Sequence, residues 1–370
     1  MGSSQIKISV SFDQDVNPPG EVSHNADVEG STHITEMIKE KEFETVLIVN
    51  PSSCSGLTGK GWDDLYSKIK GILGGNIKVA FTKKSGDGTV LARQFLKKGL
   101  KNIVAIGGDG TLNEVANGFF EEPVGIYSSK AGGHDQPSSL KPINPNAIMA
   151  IVPCGTRNVL AKSMGLPGEV VESCKTFSLG KPKKIDVICA NVTNQENHST
   201  TTTRILLNAA ETGLAAEIID RSKKVREVVD SRIVSTITSI ATTLPIYQSN
   251  ECEISIDNDK RKFVIKMTMG VVANGQFLGG GFKVAAHANM SDGLLDLIIL
   301  KDSGSLKMVD ELFNMKEGDY KDEDNIMYIQ AKKVSLKSKE RDVTVTVDGE
   351  PIGILPATFE VIPDALTVKM

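Results

Sequence analysis

The stretch Ile103-Val104-Ala105-Ile106-Gly107-Gly108-Asp109-Gly110-Thr111-Leu112-Asn113-Glu114 decides how this chain is read. The apolar run Ile103–Ile106 predicts a buried strand, and the spacing over Leu112–Phe119 predicts a helix. Between them stand Gly107, Gly108 and Gly110. Consecutive glycines let backbone N–H groups converge on one point and form an anion nest. The helix N-terminus beyond them adds partial positive charge. Thr111 is suited to cap that helix and to donate to a phosphate oxygen. Asp109 brings a carboxylate into the same turn, where phosphate would repel it. Its use there is through Mg²⁺ or as a proton acceptor. The bland alternative is a tight turn with Asp109 as a helix cap, but the whole strand–turn–helix pattern favours phosphate.

The same pattern recurs on both sides. The predicted strand Thr45–Val49 ends at Asn50-Pro51-Ser52-Ser53, and Ile77–Phe81 ends at Thr82-Lys83-Lys84-Ser85-Gly86-Asp87. Ile148–Val152 ends at Pro153-Cys154-Gly155-Thr156-Arg157-Asn158. Helical spacing falls at Trp62–Leu73, Val90–Leu100 and Val159–Met164. Strands alternating with helices over short connections predict a parallel α/β sheet. Such sheets bind ligands at the carboxyl ends of their strands. Gly59-Lys60-Gly61 fails the P-loop pattern at the hydroxyl position, and a GxGxxG spacing is absent.

Past residue 180 the pattern changes to strands. Lys184–Val192, Arg204–Ala209, Glu251–Ile256, Lys262–Ala273, Leu294–Leu300, Lys332–Leu336, Val343–Val347 and Phe359–Ile362 are the candidates, with helices near 214–229 and 232–244. They predict a β-rich, sandwich-like second domain. The chain therefore divides into a flexible acidic tail (1–41), an α/β nucleotide-binding domain (42–181), a β-sandwich domain (182–354) and a terminal strand (355–370) returning to the first domain. Alternation at Gln5–Phe12 leaves an added edge strand as the lesser reading of the tail. Ser128–Asn146, rich in Ser, Gly and Pro, reads as an inserted loop.

Composition excludes other classes. Residues 1–41 carry seven acids and three bases, which accounts for the whole net charge of −4. The remainder has no basic surplus for general nucleic-acid binding. The five cysteines are scattered without a CxxC, against a disulfide framework or zinc ribbon and in keeping with the cytoplasm. No apolar run is long enough for a transmembrane helix.

Five motifs follow one another in order: Asn50-Pro-x-Ser, Gly107-Gly-Asp-Gly-Thr-Leu-Asn-Glu-Val, Pro153-x-Gly-Thr-x-Asn, Ser291-Asp-Gly-Leu-Leu-Asp and Asp348-Gly-Glu-Pro. Over roughly 44–370 the series resembles the diacylglycerol kinase catalytic family, which includes bacterial lipid kinases and sphingosine kinases. The GGDGT motif alone is shared with NAD kinases and 6-phosphofructokinases; the ordered set is far more specific. The resemblance implies a Rossmann-like, NAD kinase-like α/β domain beside a β-sandwich, with ATP in the cleft between them. It also implies γ-phosphoryl transfer to a lipid hydroxyl, diacylglycerol-like or sphingoid-like.

By the same resemblance, Asn50, Thr82, the run Gly107, Gly108, Asp109, Gly110, Thr111, Leu112, Asn113 and Glu114, and Gly155, Thr156 and Asn158 are expected around ATP. Asp292, with the carbonyls of Asn289 and Leu294, is expected to hold Mg²⁺. Glu350 matches the family's proton acceptor and Asp348 would orient it or share the task, while sphingosine kinases give the base role to the acid matching Asp109. Glu217, in Glu211-Thr-Gly-Leu-Ala-Ala-Glu, is expected to read a lipid head group. Five bases against three acids over 220–232 suit a peripheral site on an anionic membrane. Val159 stands where bacterial diacylglycerol kinases usually carry Asp; sphingosine kinases are also apolar there. An NAD kinase-like enzyme and a non-catalytic nucleotide-binding module are the alternatives, and a homodimer is compatible with the sequence.

Overall fold

The computed structural model describes residues 44–74, 76–121, 140–226, 232–279, 281–304, 307–308, 311–312, 314–315, 318 and 324–370, and leaves undescribed the side chains of 223, 226 and 232–237. The tail 1–41, with Gln5–Phe12, and most of the insertion Ser128–Asn146 lie outside the described residues.

The first domain is a parallel sheet of β1 (Thr45–Val49), β2 (Ile77–Phe81), β3 (Asn102–Gly107) and β4 (Ile148–Pro153), in the order β2-β1-β3-β4. Helices α1 (Trp62–Leu73), α2 (Asp87–Lys97), α3 (Asp109–Asn117), α4 (Val159–Ser163) and α5 (Val170–Leu179) accompany it. Strands β1, β3 and β4 are almost wholly apolar because both faces are buried, whereas the edge strand β2 carries Lys78 and is partly exposed. Val46, Ile48, Ile103, Ala105, Met149 and Ile151 pack into one core, while the alternating Leu47, Val49, Val104, Ile106, Ala150 and Val152 pack into the other.

The second domain contains β5 (Pro182–Thr193), β6 (Thr201–Leu206), β7 (Ala209–Gly213), β8 (Asn250–Ile256), β9 (Arg261–Ala273), β10 (Leu295–Lys301), β11 (Ile326–Ala331), β12 (Lys333–Ser338), β13 (Thr344–Val347) and β14 (Glu350–Lys369). Helices α6 (Leu214–Arg226) and α7 (Arg232–Thr243) interrupt it. Hydrogen-bonded neighbours run β14–β13–β7–β9–β8–β12 and back to β14, so these strands close a ring. Closure removes open edges from these strands and encloses a core with Ile254, Val334, Leu336, Val345, Val347 and Phe359. The architecture is an α/β domain followed by a β-rich domain. The 20-residue β14 joins them: it leaves the ring, runs along β5 and ends beside β4 in parallel, Val368 opposite Met149.

Among the elements named above, α5, β7 and β11 have no counterpart in the sequence expectations. The sequence of β7, AAETG, has poor strand propensity; burial of all five residues between β13 and β9 imposes the conformation. The expected strand Arg204–Ala209 is broken after Leu206, because the backbone N–H groups of Leu207, Asn208 and Ala209 turn onto one carboxylate, that of Asp348.

Candidate active site

The carboxyl ends of β1, β3 and β4 converge. Asn50 N–H donates to Ile106 O, and Cys154 N–H donates to Gly107 O. Gly108 and Gly155 meet backbone to backbone; a Cβ on Gly155 would collide with Gly108 Cα. A Cβ on Gly107 would lie 2.6 Å from Thr111 Cβ. Here the glycines are required by close approach.

Helix α3 starts earlier than expected. Gly108 is its N-cap and Asp109, Gly110 and Thr111 form its first turn. Thr111 is therefore not the cap. Its hydroxyl oxygen accepts from Asn50 Nδ2 at 2.9 Å, leaving its proton free to donate forward. The first backbone N–H groups of α3 have no intrahelical partner, and the Gly155 loop stands against the N-cap residue Gly108. Asn50 Oδ1 accepts from Ser52 N–H, so both ends of that amide brace the turn.

Asp109 is a cap for a different helix. The N-cap of α4, Asn158, gives its side-chain oxygen to Gly155 N–H instead. Asp109 Oδ1 accepts the Leu160 N–H at 3.0 Å in its place. One carboxylate thus ties the N-termini of α3 and α4 together. Asp109→Ala should lower stability by about 1 kcal/mol, the cost of a lost cap. A thermal melt should show a fall of about 2–4 °C.

Other residues of the motif do not face the cleft. Leu112 is fully buried in the core, and its N–H donates to Gly108 O. Glu114 is buried and accepts from Ser85 Oγ, Gly86 N–H and Gly88 N–H, pinning the turn that follows β2. Asn113 is buried and turned toward the second domain, donating to Ile205 O at 2.8 Å and Asp348 Oδ2 at 2.7 Å. The groups this end of the sheet leaves to an anion are the N-terminal amides of α3, the Thr111 hydroxyl, and the loop carrying Gly155 and Thr156. Thr82 is buried beside them, its N–H held by Val49 O.

Asp348 and Gly349 both have positive φ, 46° and 81°. That is the requirement of a type I′ turn, and it makes Asp-Gly the tight hairpin joining β13 to β14. Asp348 Oδ2 accepts from Leu207 N–H and Asn113, and Oδ1 from Asn208 and Ala209 N–H. Burial pushes its carboxyl above the ordinary value, and these donors pull it back. Both oxygens are occupied, which suits the orienting role, one of the two expected of Asp348, by fixing the hairpin. The hairpin delivers Glu350 to the first domain, where its Oε1 lies 3.0 Å from where a Cβ on Gly110 would be. Arg204 Nη2 pairs with its other oxygen at 3.1 Å. The sequence reading missed Arg204, because a lone arginine in a strand carries no motif.

Glu217 lines a cavity of about 730 Å³ together with Arg221, Val225, Thr344 and Pro351, the residue following Glu350. The neighbouring Lys224 pairs with Asp220 at 2.6 Å. Val159, at the departure from the family pattern, is buried at the start of α4.

Asp292 is exposed and its Oδ1 accepts the Leu294 N–H at 3.0 Å. Asn289 Oδ1 accepts from Ser291, and Gly293 N–H donates to the buried Asp186. One carboxylate and two carbonyls are hard-oxygen donors, but among the described residues no three His, Cys, Asp or Glu side chains gather around a common point. What the turn offers a cation is therefore one carboxylate, with an oxygen already accepting a backbone N–H, and backbone carbonyls.

Known proteins resemble both halves of the chain. Residues 44–190 match the diacylglycerol kinase catalytic domain, and residues 208–370 match the YegS C-terminal NAD kinase β-sandwich-like domain. The chain is 25% identical over 315 residues to a diacylglycerol kinase of Bacillus subtilis, covering 85% of this chain and 91% of that protein. It is 26% identical over 284 residues to a "Probable lipid kinase YegS-like" of Chromohalobacter salexigens, covering 75% and 78%. A solved diacylglycerol kinase structure from Bacillus anthracis shares the fold, with a TM-score of 0.61 at 21% identity over 88% of this chain and 97% of that one. With both of its domains matched in order, this chain is similar along most of its length to diacylglycerol kinases and YegS-like lipid kinases.

Proposed function

We propose that this protein is an ATP-dependent lipid kinase, with Glu350 as the proton acceptor. One observation carries the reading: Glu350 lies over Gly110 of the phosphate-binding turn and next in sequence to Pro351 of the Glu217 cavity. A donor phosphate on the α3 amides and an acceptor hydroxyl at the cavity mouth would meet at that carboxylate.

The reaction then balances simply. The lipid hydroxyl oxygen forms a bond to the γ-phosphorus, and its proton passes to Glu350. The bond between the γ-phosphorus and the β,γ-bridging oxygen breaks, and its electron pair leaves on ADP. Protein catalysis of such a transfer is mostly positioning and charge stabilisation. The rigid Gly108–Gly155 contact and the saturated Asp348 hairpin supply the positioning. Mg²⁺ would accompany the phosphates of ATP rather than a cage of protein side chains. The lipid presents its head group to Glu217, and the bases of α6 suit a peripheral position at an anionic cytoplasmic membrane surface. No described helix is long and apolar enough to cross a membrane.

The test is transfer of labelled γ-phosphate from ATP in the presence of a total lipid extract and, separately, of NAD. Label should enter a chloroform-soluble product. Label in NAD alone would overturn the lipid assignment, and no transfer to either would leave a nucleotide-binding module.

A further inference from the structure

We propose that Arg204 is a phosphate-binding residue, held in reserve by Glu350 until a triphosphate occupies the site. The inference rests on the kinase reading above and adds to it a residue that none of the sequence motifs contains.

Three observations point to it. First, the Arg204–Glu350 pair lies at the first turn of α3, since the partner carboxylate is the one facing Gly110. Second, Arg204 is placed rigidly relative to that turn. The next residue, Ile205, donates its N–H to Asn117 Oδ1 at 3.0 Å, and its carbonyl accepts from Asn113 and Asn117. Both asparagines belong to α3, so the helix that presents the phosphate nest also fixes the strand that carries the arginine. Third, the guanidinium is under-used. It has five N–H donors, its side chain is 27% exposed, and Glu350 is its single polar partner among the described residues. A planar cation with spare donors beside a nest of backbone amides matches the bidentate geometry of a phosphate group.

The α3 amides bring partial charges to the phosphates. A γ-phosphoryl group in transfer spreads full negative charge over its outer oxygens, and a guanidinium at its flank neutralises that charge. Pairing with Glu350 keeps Arg204 oriented before the nucleotide arrives. When the arginine turns to phosphate, Glu350 is released to accept the hydroxyl proton. No bond is made or broken by Arg204 itself.

A purely structural ion pair behaves differently from this arrangement, because both of its halves matter equally. Calorimetric titration with ADP and with the β,γ-imido analogue of ATP separates the two. Arg204→Ala should weaken the analogue by about tenfold or more while ADP stays within about twofold, since a charge-assisted hydrogen bond to the γ-phosphate is lost. Glu350→Gln should bind the analogue as tightly as wild type or tighter, because the arginine is freed. Arg204→Lys, which keeps the charge, should retain part of the preference and serves if the alanine variant does not fold. Equal losses for the two nucleotides in Arg204→Ala would overturn the proposal, as would equal weakening of the analogue by Arg204→Ala and Glu350→Gln. Failure of the wild-type protein to bind either nucleotide is a different result, and it would remove the kinase reading itself.

Discussion

Replacing Asp348 by alanine should cost about 3 kcal/mol or more and lower the melting temperature by about 6–12 °C. The magnitude follows from what the carboxylate satisfies. Three consecutive backbone N–H groups, at Leu207, Asn208 and Ala209, and the buried Asn113 amide all lose their acceptor at once. Each unsatisfied buried donor costs about 1–3 kcal/mol, and water reaching the gap offsets part of the sum. The same substitution should also stop phosphotransfer, although Asp348 has no free oxygen for a substrate. It holds the β13–β14 turn against both α3 and the break between β6 and β7, and Glu350 is carried on that turn. Melting followed by circular dichroism, together with a lipid phosphorylation assay, checks both halves. A variant that melts like wild type would show that the four bonds do not hold the hairpin.

Glu350→Gln should give the opposite combination, a native melting curve with little activity. The Arg204–Glu350 pair is about one third exposed, and ion pairs with that much solvent contribute about 0–1 kcal/mol. Stability should therefore barely move. Removal of a general base costs about 10²–10⁴-fold in rate, so kcat should fall at least a hundredfold with KM for ATP little changed. Wild-type turnover in this variant would remove Glu350 from the mechanism and return the base role to Asp109. The contrast between neighbours two residues apart is the useful part. Asp348 should appear in both stability and activity, Glu350 in activity alone.

The α/β half of this protein is legible in its sequence because the interactions that define it are local. Strands β1, β2, β3 and β4 are short apolar runs ending in turn residues, and each was readable within one or two residues of its bounds. A parallel strand buried on both faces has no other composition open to it, and close approach of backbone to its neighbours demands glycine. Gly107, Gly108 and Gly155 are visible for that reason. So is the Asp-Gly pair at 348–349, since a two-residue hairpin needs left-handed backbone there.

Side-chain direction is not a local property, and there only the tertiary structure decides. Asp109, Asn113, Glu114 and Asp348 are all polar residues in phosphate-type motifs, and sequence cannot tell a ligand from a brace. Packing sends Glu114 to the turn after β2, Asn113 to β6 and Asp109 to the N-terminus of α4. The strand β7 and the break before it exist because neighbouring strands and the Asp348 carboxylate impose them on a weak local sequence. Arg204 meets Glu350 across 146 residues of chain, a separation at which spacing carries no signal. Which carboxylates stay free for chemistry is settled only when every buried donor has found its acceptor, and that accounting spans both domains.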